Sequence, residues 1–154
     1  MHRLTTTMAQ VEWEYNLIIF IFMLTSEVTN IELARENFKI WNESLLSKDA
    51  QKVAELYTVD NTFLPTMSPE FKRGQASAEG YFVHFLEKNP VGEIVEDECQ
   101  VLAPDCYLHS GLYNFTVGPE DKREVVEARF SYVWKKNEAG NWKILHHHSS
   151  VKPR

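Results

Sequence analysis

The chain lacks most of the features by which a function is recognised at sight. Two cysteines in 154 residues, Cys99 and Cys106, are too few for the disulfide framework of a secreted scaffold, and they read as small core residues in a reducing compartment. Basic side chains are in deficit, 16 against 22 acidic, for a formal net charge of −6. A nucleic-acid binder needs clustered Lys and Arg to displace counterions, so nucleic acid is excluded as a partner. The longest apolar run, Leu17–Leu24, has eight residues, well short of the 18 or more of a membrane span. Glu12 and Glu14 stand before it where a signal peptide carries positive charge, and no clean small-x-small cleavage site follows, so the expected location is cytoplasmic. No HExxH or CxxC motif is present, and neither a metal nor a cofactor is expected.

What remains is enough for one compact domain. A chain of this length buries about two-thirds of the surface its unfolded form exposes and needs no covalent or metal staple. Residues 1–28 read as a leader or appendage, and residues 29–154 as the domain proper. Met23, immediately before the first good amphipathic pattern, is an alternative start. From Ile31 to Lys48 the residues Ile31, Ala34, Phe38, Trp41 and Leu45 recur at three- and four-residue steps, with Asn30 as the expected cap. Asp49 caps a second short helix carrying Val53, Ala54, Leu56 and Tyr57. A brief strand at Thr62–Met67, a loop at Ser68–Gly74 and a third helix at Gln75–Lys88 follow, the last stopped by Asn89-Pro90.

After Gly92 the period changes from 3.6 to 2. Runs at Glu93–Ala103, Cys106–Val117, Arg123–Lys136 and Asn141–Ser149 are separated by short turns, which predicts an antiparallel meander. The fold class is therefore α+β, with three N-terminal helices packed on one face of a curved, mostly antiparallel sheet. Val126, Ala128, Phe130, Tyr132 and Trp134 share one face of the third run, yet Val125 and Val133 lie on the other. In the second run Leu108 and Leu112 oppose Tyr107, Tyr113, Phe115 and Val117. Apolar side chains on both faces exceed what three short helices can cover, which predicts a homo-oligomer formed through the sheet.

Several groups could carry chemistry. His146 and His148 project from the same strand face and could share a metal, but the spacing identifies no third ligand; hydrogen bonds to neighbouring groups are the simpler reading. Arg129, two residues from Glu127 on one strand face, either pairs with it or receives an anion in a cleft. Glu93, Glu96, Asp97 and Glu98 read as a solvated strand edge. Asn42-Glu-Ser44 and Asn114-Phe-Thr116 match the glycosylation pattern by chance.

The segments Arg73-Gly74, Tyr81-Phe-Val-His-Phe-Leu86, Ala128-Arg-Phe-Ser-Tyr-Val-Trp134 and, most specifically, Trp142-Lys-Ile-Leu-His-His-His-Ser-Ser150 resemble the association (hub) domain of calcium/calmodulin-dependent protein kinase II. The likeness is closer to its stand-alone single-domain relatives in the nuclear transport factor 2-like superfamily, and it spans roughly residues 30 to 153. The resemblance implies a cone-shaped fold, dimerisation through the sheet, rings of dimers and a pocket that accepts small carboxylates. It carries His146, His148 and Ser150 onto the terminal strand and Tyr81-Phe82 onto the third helix, while Arg129 fits the stand-alone relatives. The hub's own pocket arginines align instead near Tyr132 and Tyr113. No kinase signature is present, and Leu64-Pro65 stand where enzymatic cousins carry a general-base carboxylate. The expectation is a non-catalytic, self-associating domain whose ligand pocket, suited to a small anion, is lined by Tyr81, Tyr113, Arg129, His146 and His148. The alternative is a small isomerase-, cyclase- or hydrolase-type enzyme using the cleft histidines and Arg129.

Overall fold

A computed structural model describes residues 8–153. Helix α1 spans Met8–Leu46, α2 Ala50–Ala54 and α3 Gln75–Phe85, and a 3-10 turn follows at Leu86–Lys88. Strands β1 (Tyr57–Leu64), β2 (Lys72–Arg73), β3 (Val91–Ala103), β4 (Cys106–Val117), β5 (Glu124–Lys136) and β6 (Trp142–Val151) form one sheet in the order β2-β1-β6-β5-β4-β3. The expected mixed α+β architecture with a four-strand antiparallel meander is present. β1 joins the meander by pairing parallel with β6, setting Thr62, Phe63 and Leu64 beside His146, His147 and His148.

Local boundaries differ from the sequence expectation for physical reasons. No glycine or proline interrupts residues 8–46, so α1 continues upstream of Ile31, and Asn30 is an interior helical residue instead of a cap. Asp49 does cap α2, its carboxylate accepting from the amides of Gln51 and Lys52. Tyr57, expected at the end of that helix, opens β1, because its side chain is needed in the core between sheet and helices. The loop before α3 contains the two-residue β2, which pairs antiparallel with Thr62 and Phe63. Asn89, at φ 49°, closes the 3-10 turn in the left-handed region.

The core lies on one face of the sheet. Ala34, Phe38, Trp41 and Leu45 of α1 and Ala78 and Phe82 of α3 are buried in one cluster with Tyr57, Phe63, Tyr113, Phe130, Tyr132, Trp134 and Ile144. Trp41 sits at its middle, with ring centroids 5.6 Å from Tyr132, 6.1 Å from Phe115 and 6.4 Å from Phe82. Asn42 anchors α1 to the start of β3 by donating to the Gly92 carbonyl and accepting from its amide.

Bulges then set which side chains face the core. Register shifts fall between Ile94 and Glu96 in β3 and opposite Val133–Trp134 in the β5–β6 pair. Beside the first of them, Gly111 of β4 lies so close to β3 that a Cβ would collide with the Glu96 carbonyl and approach the Asp97 Cα to 2.8 Å. Gly111→Ala is therefore expected to cost about 1–3 kcal/mol, since backbone must move to admit the methyl group. Gly80, inside α3 with nothing within 4 Å of a built Cβ, supplies the contrast: Gly80→Ala is expected to gain up to about 1 kcal/mol from helix propensity. Urea denaturation of both variants checks the pair; equal effects would contradict the close approach at Gly111.

Candidate functional site

Between α1, α3 and the inner face of β4–β6 lies a cavity of about 210 Å³. α1 contributes Trp41, α3 contributes Tyr81, Phe82 and Phe85, β4 contributes Tyr113 and Phe115, and β6 contributes His147 and Ser149. The exposed residues Met67, Lys88 and Glu124 line it as well and mark its mouth. The aromatic wall follows from sequence spacing: Tyr81, Phe82 and Phe85 share one side of α3, and Tyr113 and Phe115 alternate on β4.

Two polar chains reach this wall. In the first, the Tyr113 hydroxyl donates to Ser149 Oγ, which also bonds Thr66 Oγ1. In the second, Trp41 Nε1 donates to the Tyr57 hydroxyl at 3.1 Å, and that hydroxyl lies 2.9 Å from His147 Nδ1. The Tyr57 oxygen accepts from the indole N–H, and because its own hydrogen has no other acceptor among the described residues, the assignment that satisfies it directs that hydrogen to Nδ1. His147 then carries its hydrogen on Nε2, a buried atom with no partner among the described residues. The imidazole is 2% exposed and stacks between Phe63 and Tyr132, at centroid distances of 4.7 and 4.1 Å. Burial, reinforced by the neighbouring His146 and His148, holds it neutral by pushing its pKa well below 6.5. Burial likewise pushes the Tyr81 and Tyr113 phenols above 10, so both remain protonated donors at neutral pH.

Of the five residues expected in the pocket, the structure brings Tyr81 and Tyr113 together in it and places the other three on the opposite face of the sheet. The bulge in the β5–β6 pair pairs Ile144 with Trp134 but His147 with Tyr132, so the inward parity of β6 changes between them. Strict alternation from Ile144 would have turned His146 and His148 inward. The bulge turns His147 and Ser149 inward instead, and no residue type in the strand announces it. His146 Nδ1 pairs with Thr62 Oγ1 at 2.7 Å, and His148 is exposed. Arg129 is exposed and donates to Ser150 Oγ at 3.2 and 3.0 Å, while Glu127 pairs with Lys152 at 3.7 Å. Of Leu64 and Pro65, the second lines the cavity and the first is 37% exposed.

A second polar cluster was hidden in the acidic run. Glu93, Glu96 and Glu98 are exposed as expected, but the β3 bulge turns Asp97 inward, leaving its side chain 2% exposed. Arg35 of α1 donates to both its oxygens, the shortest contact being 2.7 Å, and His109 Nε2 lies 3.0 Å away. The Arg35 hydrogen bonds hold the Asp97 carboxyl below its ordinary 3.8, and burial holds His109 below 6.5 against the pull of Asp97. This triad ties α1 to the sheet and contributes nothing to the aromatic cavity wall. Among the described residues, no group of three or more His, Cys, Asp or Glu is arranged to hold a metal ion.

These shifts fix a pH dependence. His109 and His147 bind protons more readily when unfolded, so their contribution to stability is complete above about pH 7 and declines as pH falls below 6.5 towards their folded values. Asp97 adds a further loss once pH falls below about 3.8. Urea unfolding between pH 8 and pH 4 is expected to show a plateau and then a fall beginning near pH 6.5; a stability that rises on acidification through this range would contradict the buried neutral histidines.

A curved, unclosed six-stranded sheet with helices on its concave face defines the nuclear transport factor 2-like, or cystatin-like, class. The family model "Calcium/calmodulin dependent protein kinase II association domain" matches residues 31–153, and the chain belongs to that family. Among solved structures, a Xanthomonas campestris protein assigned to this association domain is 37% identical, with 80% of this chain and 87% of that chain covered and a TM-score of 0.76. A nuclear transport factor 2 (NTF2-like) superfamily protein from Salmonella enterica serovar Typhimurium is 20% identical over 82% of this chain and 94% of that one, at a TM-score of 0.68. An NTF2-like protein with a cystatin-like fold from Novosphingobium aromaticivorans, 11% identical over 94% of this chain and 90% of that one, gives 0.64. These last two bear on the fold alone. Among curated proteins nothing matches.

Proposed function

We propose that the protein is a self-associating, hub-like domain, a dimer or a ring of dimers, with a small-molecule cleft and no kinase activity of its own. The observation that carries this is the outer face of the sheet. There Leu108 pairs with Val133, and Leu112 lies beside Arg129, all on the side opposite the buried Tyr107, Tyr113 and Tyr132. Leu108, Leu112 and Val133 are half-buried only by their neighbours, and Leu64 at the edge is 37% exposed. The register sets the Ser110–Ser131 pair between Leu108–Val133 and Leu112, and His148 between Ser131 and Leu64, so apolar side chains alternate across this face with hydroxyls, imidazoles and the Arg129 guanidinium, the mixed composition usual in an interface between proteins. Membership of an association-domain family supports the same reading.

Residues 29–154 form the associating unit, with 1–28 as a leader or appendage whose described part is continuous with α1. The protein works in the cytoplasm without nucleic acid, consistent with its net charge of −6 and with the absence, among the described residues, of any helix long and apolar enough to cross a membrane. The cleft is a binding site and not a catalytic one. Its single carboxylate, Glu124, is exposed at the mouth, and no base lies within its aromatic wall apart from His147, whose accepting nitrogen is occupied by Tyr57. Size-exclusion chromatography with light scattering tests the assembly: at micromolar concentration a mass of two or more 18.0 kDa chains is expected, and a monomer overturns the proposal.

A further inference from the structure

We infer that the cleft selects an uncharged, single-ring aromatic molecule bearing one hydrogen-bond-accepting oxygen, such as an aryl ketone or aldehyde, and discriminates against small carboxylates. The inference rests on the reading of the cavity as a ligand cleft and names the ligand class for it.

Three observations carry it. The first is size: an apolar cavity of about 150 Å³ suffices for benzene, so the 210 Å³ here admits one ring and a short substituent. The second is charge. No arginine lines the cavity, and its one cationic side chain, Lys88, is exposed at the mouth together with Glu124. A carboxylate drawn into the aromatic interior would lose its hydration with no cation to replace it, and that penalty exceeds the benefit of one neutral hydrogen bond.

The third is the pattern of donors. His147 presents an unpartnered, buried Nε2–H. In the Tyr113–Ser149–Thr66 chain, three hydroxyl hydrogens serve two hydrogen bonds, which leaves one hydroxyl hydrogen, on Thr66 or Ser149, without an acceptor in the chain. Both surplus groups are donors on residues lining one cavity, and a carbonyl oxygen is the kind of acceptor that such donors lack. Among the aromatic residues of the wall, the half-buried Tyr81 and Phe85 supply surface for the aromatic part of the ligand.

Isothermal titration with three probes tests this: acetophenone, ethylbenzene and benzoate, which share a ring and differ in acceptor and charge. Acetophenone is expected to bind roughly tenfold or more tightly than either of the others. Thr66→Val and His147→Phe are each expected to shrink its advantage over ethylbenzene to about threefold or less while ethylbenzene binding persists; the valine variant leaves the Tyr57 hydrogen bonds intact and so stands if His147→Phe fails to fold. Val126→Trp, which places bulk into the half-buried cavity wall, is expected to abolish binding of all three. Benzoate binding as tightly as acetophenone overturns the proposed ligand class while leaving the cleft in place. Equal binding of ethylbenzene and acetophenone overturns the donor argument. Binding of none of the three overturns the cleft reading itself.

Discussion

Trp41→Ala is expected to lower the unfolding free energy by about 3–5 kcal/mol, the range for truncating a large buried aromatic. The indole is 1% exposed and contacts rings from every layer of the core: Phe38 on its own helix, Phe82 on α3, Phe115 on β4, Tyr132 on β5 and His147 on β6. Its loss opens a void beside an existing cavity and removes the donor that orients the Tyr57 hydroxyl. For a chain of this size each kcal/mol shifts the midpoint by about 2–4 °C, so a fall in Tm of roughly 6–20 °C is expected. Trp41→Phe separates the contributions in part, because it keeps an aromatic ring while deleting the N–H and the volume of the second ring; about 1–3 kcal/mol is expected for it. Circular dichroism melts of both variants are the check, and an alanine variant within 1 kcal/mol of the parent would show that the core does not close around this side chain.

Val133→Glu is expected to weaken self-association by 100-fold or more, equivalent to about 2.7 kcal/mol. Val133 lies in β5 with Leu108 on one side and His146 on the other, all on the outer face. In an isolated chain a carboxylate there stays in water and costs little, because surface substitutions usually lie within about 0.5 kcal/mol. In an assembly closed through this face the same carboxylate is desolvated against apolar side chains, and a two-fold axis would set it near its own copy, where like charges repel by several kcal/mol. Sedimentation equilibrium gives the association constant and a thermal melt gives the monomer's integrity. Unchanged association with a normal melt would place the contact elsewhere on the molecule.

The fold was legible where period and turn chemistry agreed. Pro104-Asp105 and Gly118 bound β4, which the sequence places at Cys106–Val117 and the structure confirms residue for residue. Alternation along β5 put Val126, Ala128, Phe130, Tyr132 and Trp134 on one face, and in the structure Val126 is half-buried and the other four are buried. The buried polar groups were less legible because they depend on two bulges. One turns Asp97 into the core to meet Arg35 and His109, although it sits among exposed glutamates. The other exchanges His146 and His148 for His147 and Ser149 on the concave face. A bulge inserts one residue and reverses the parity of everything beyond it, and it is set by the fit of strand against strand, which composition does not record. The parallel pairing of β1 with β6 was hidden for a related reason, since the partners are about 85 residues apart and no short turn connects them. Tyr81 and Tyr113 could be placed in the cleft from sequence because α3 is regular and Tyr113 lies beyond no inward-facing bulge of β4.

Hydroxyl-radical footprinting at two protein concentrations bears most directly on the claim that copies of this chain meet through the outer face of the sheet. Leu108, Leu112 and Val133 are expected to lose reactivity as concentration rises from nanomolar to micromolar, while Val59, 79% exposed, and Val83 on α3, 50% exposed, stay constant as internal references. Loss of reactivity at Val83 with the three outer-face residues unchanged would contradict the account and put the meeting surface on the helical side.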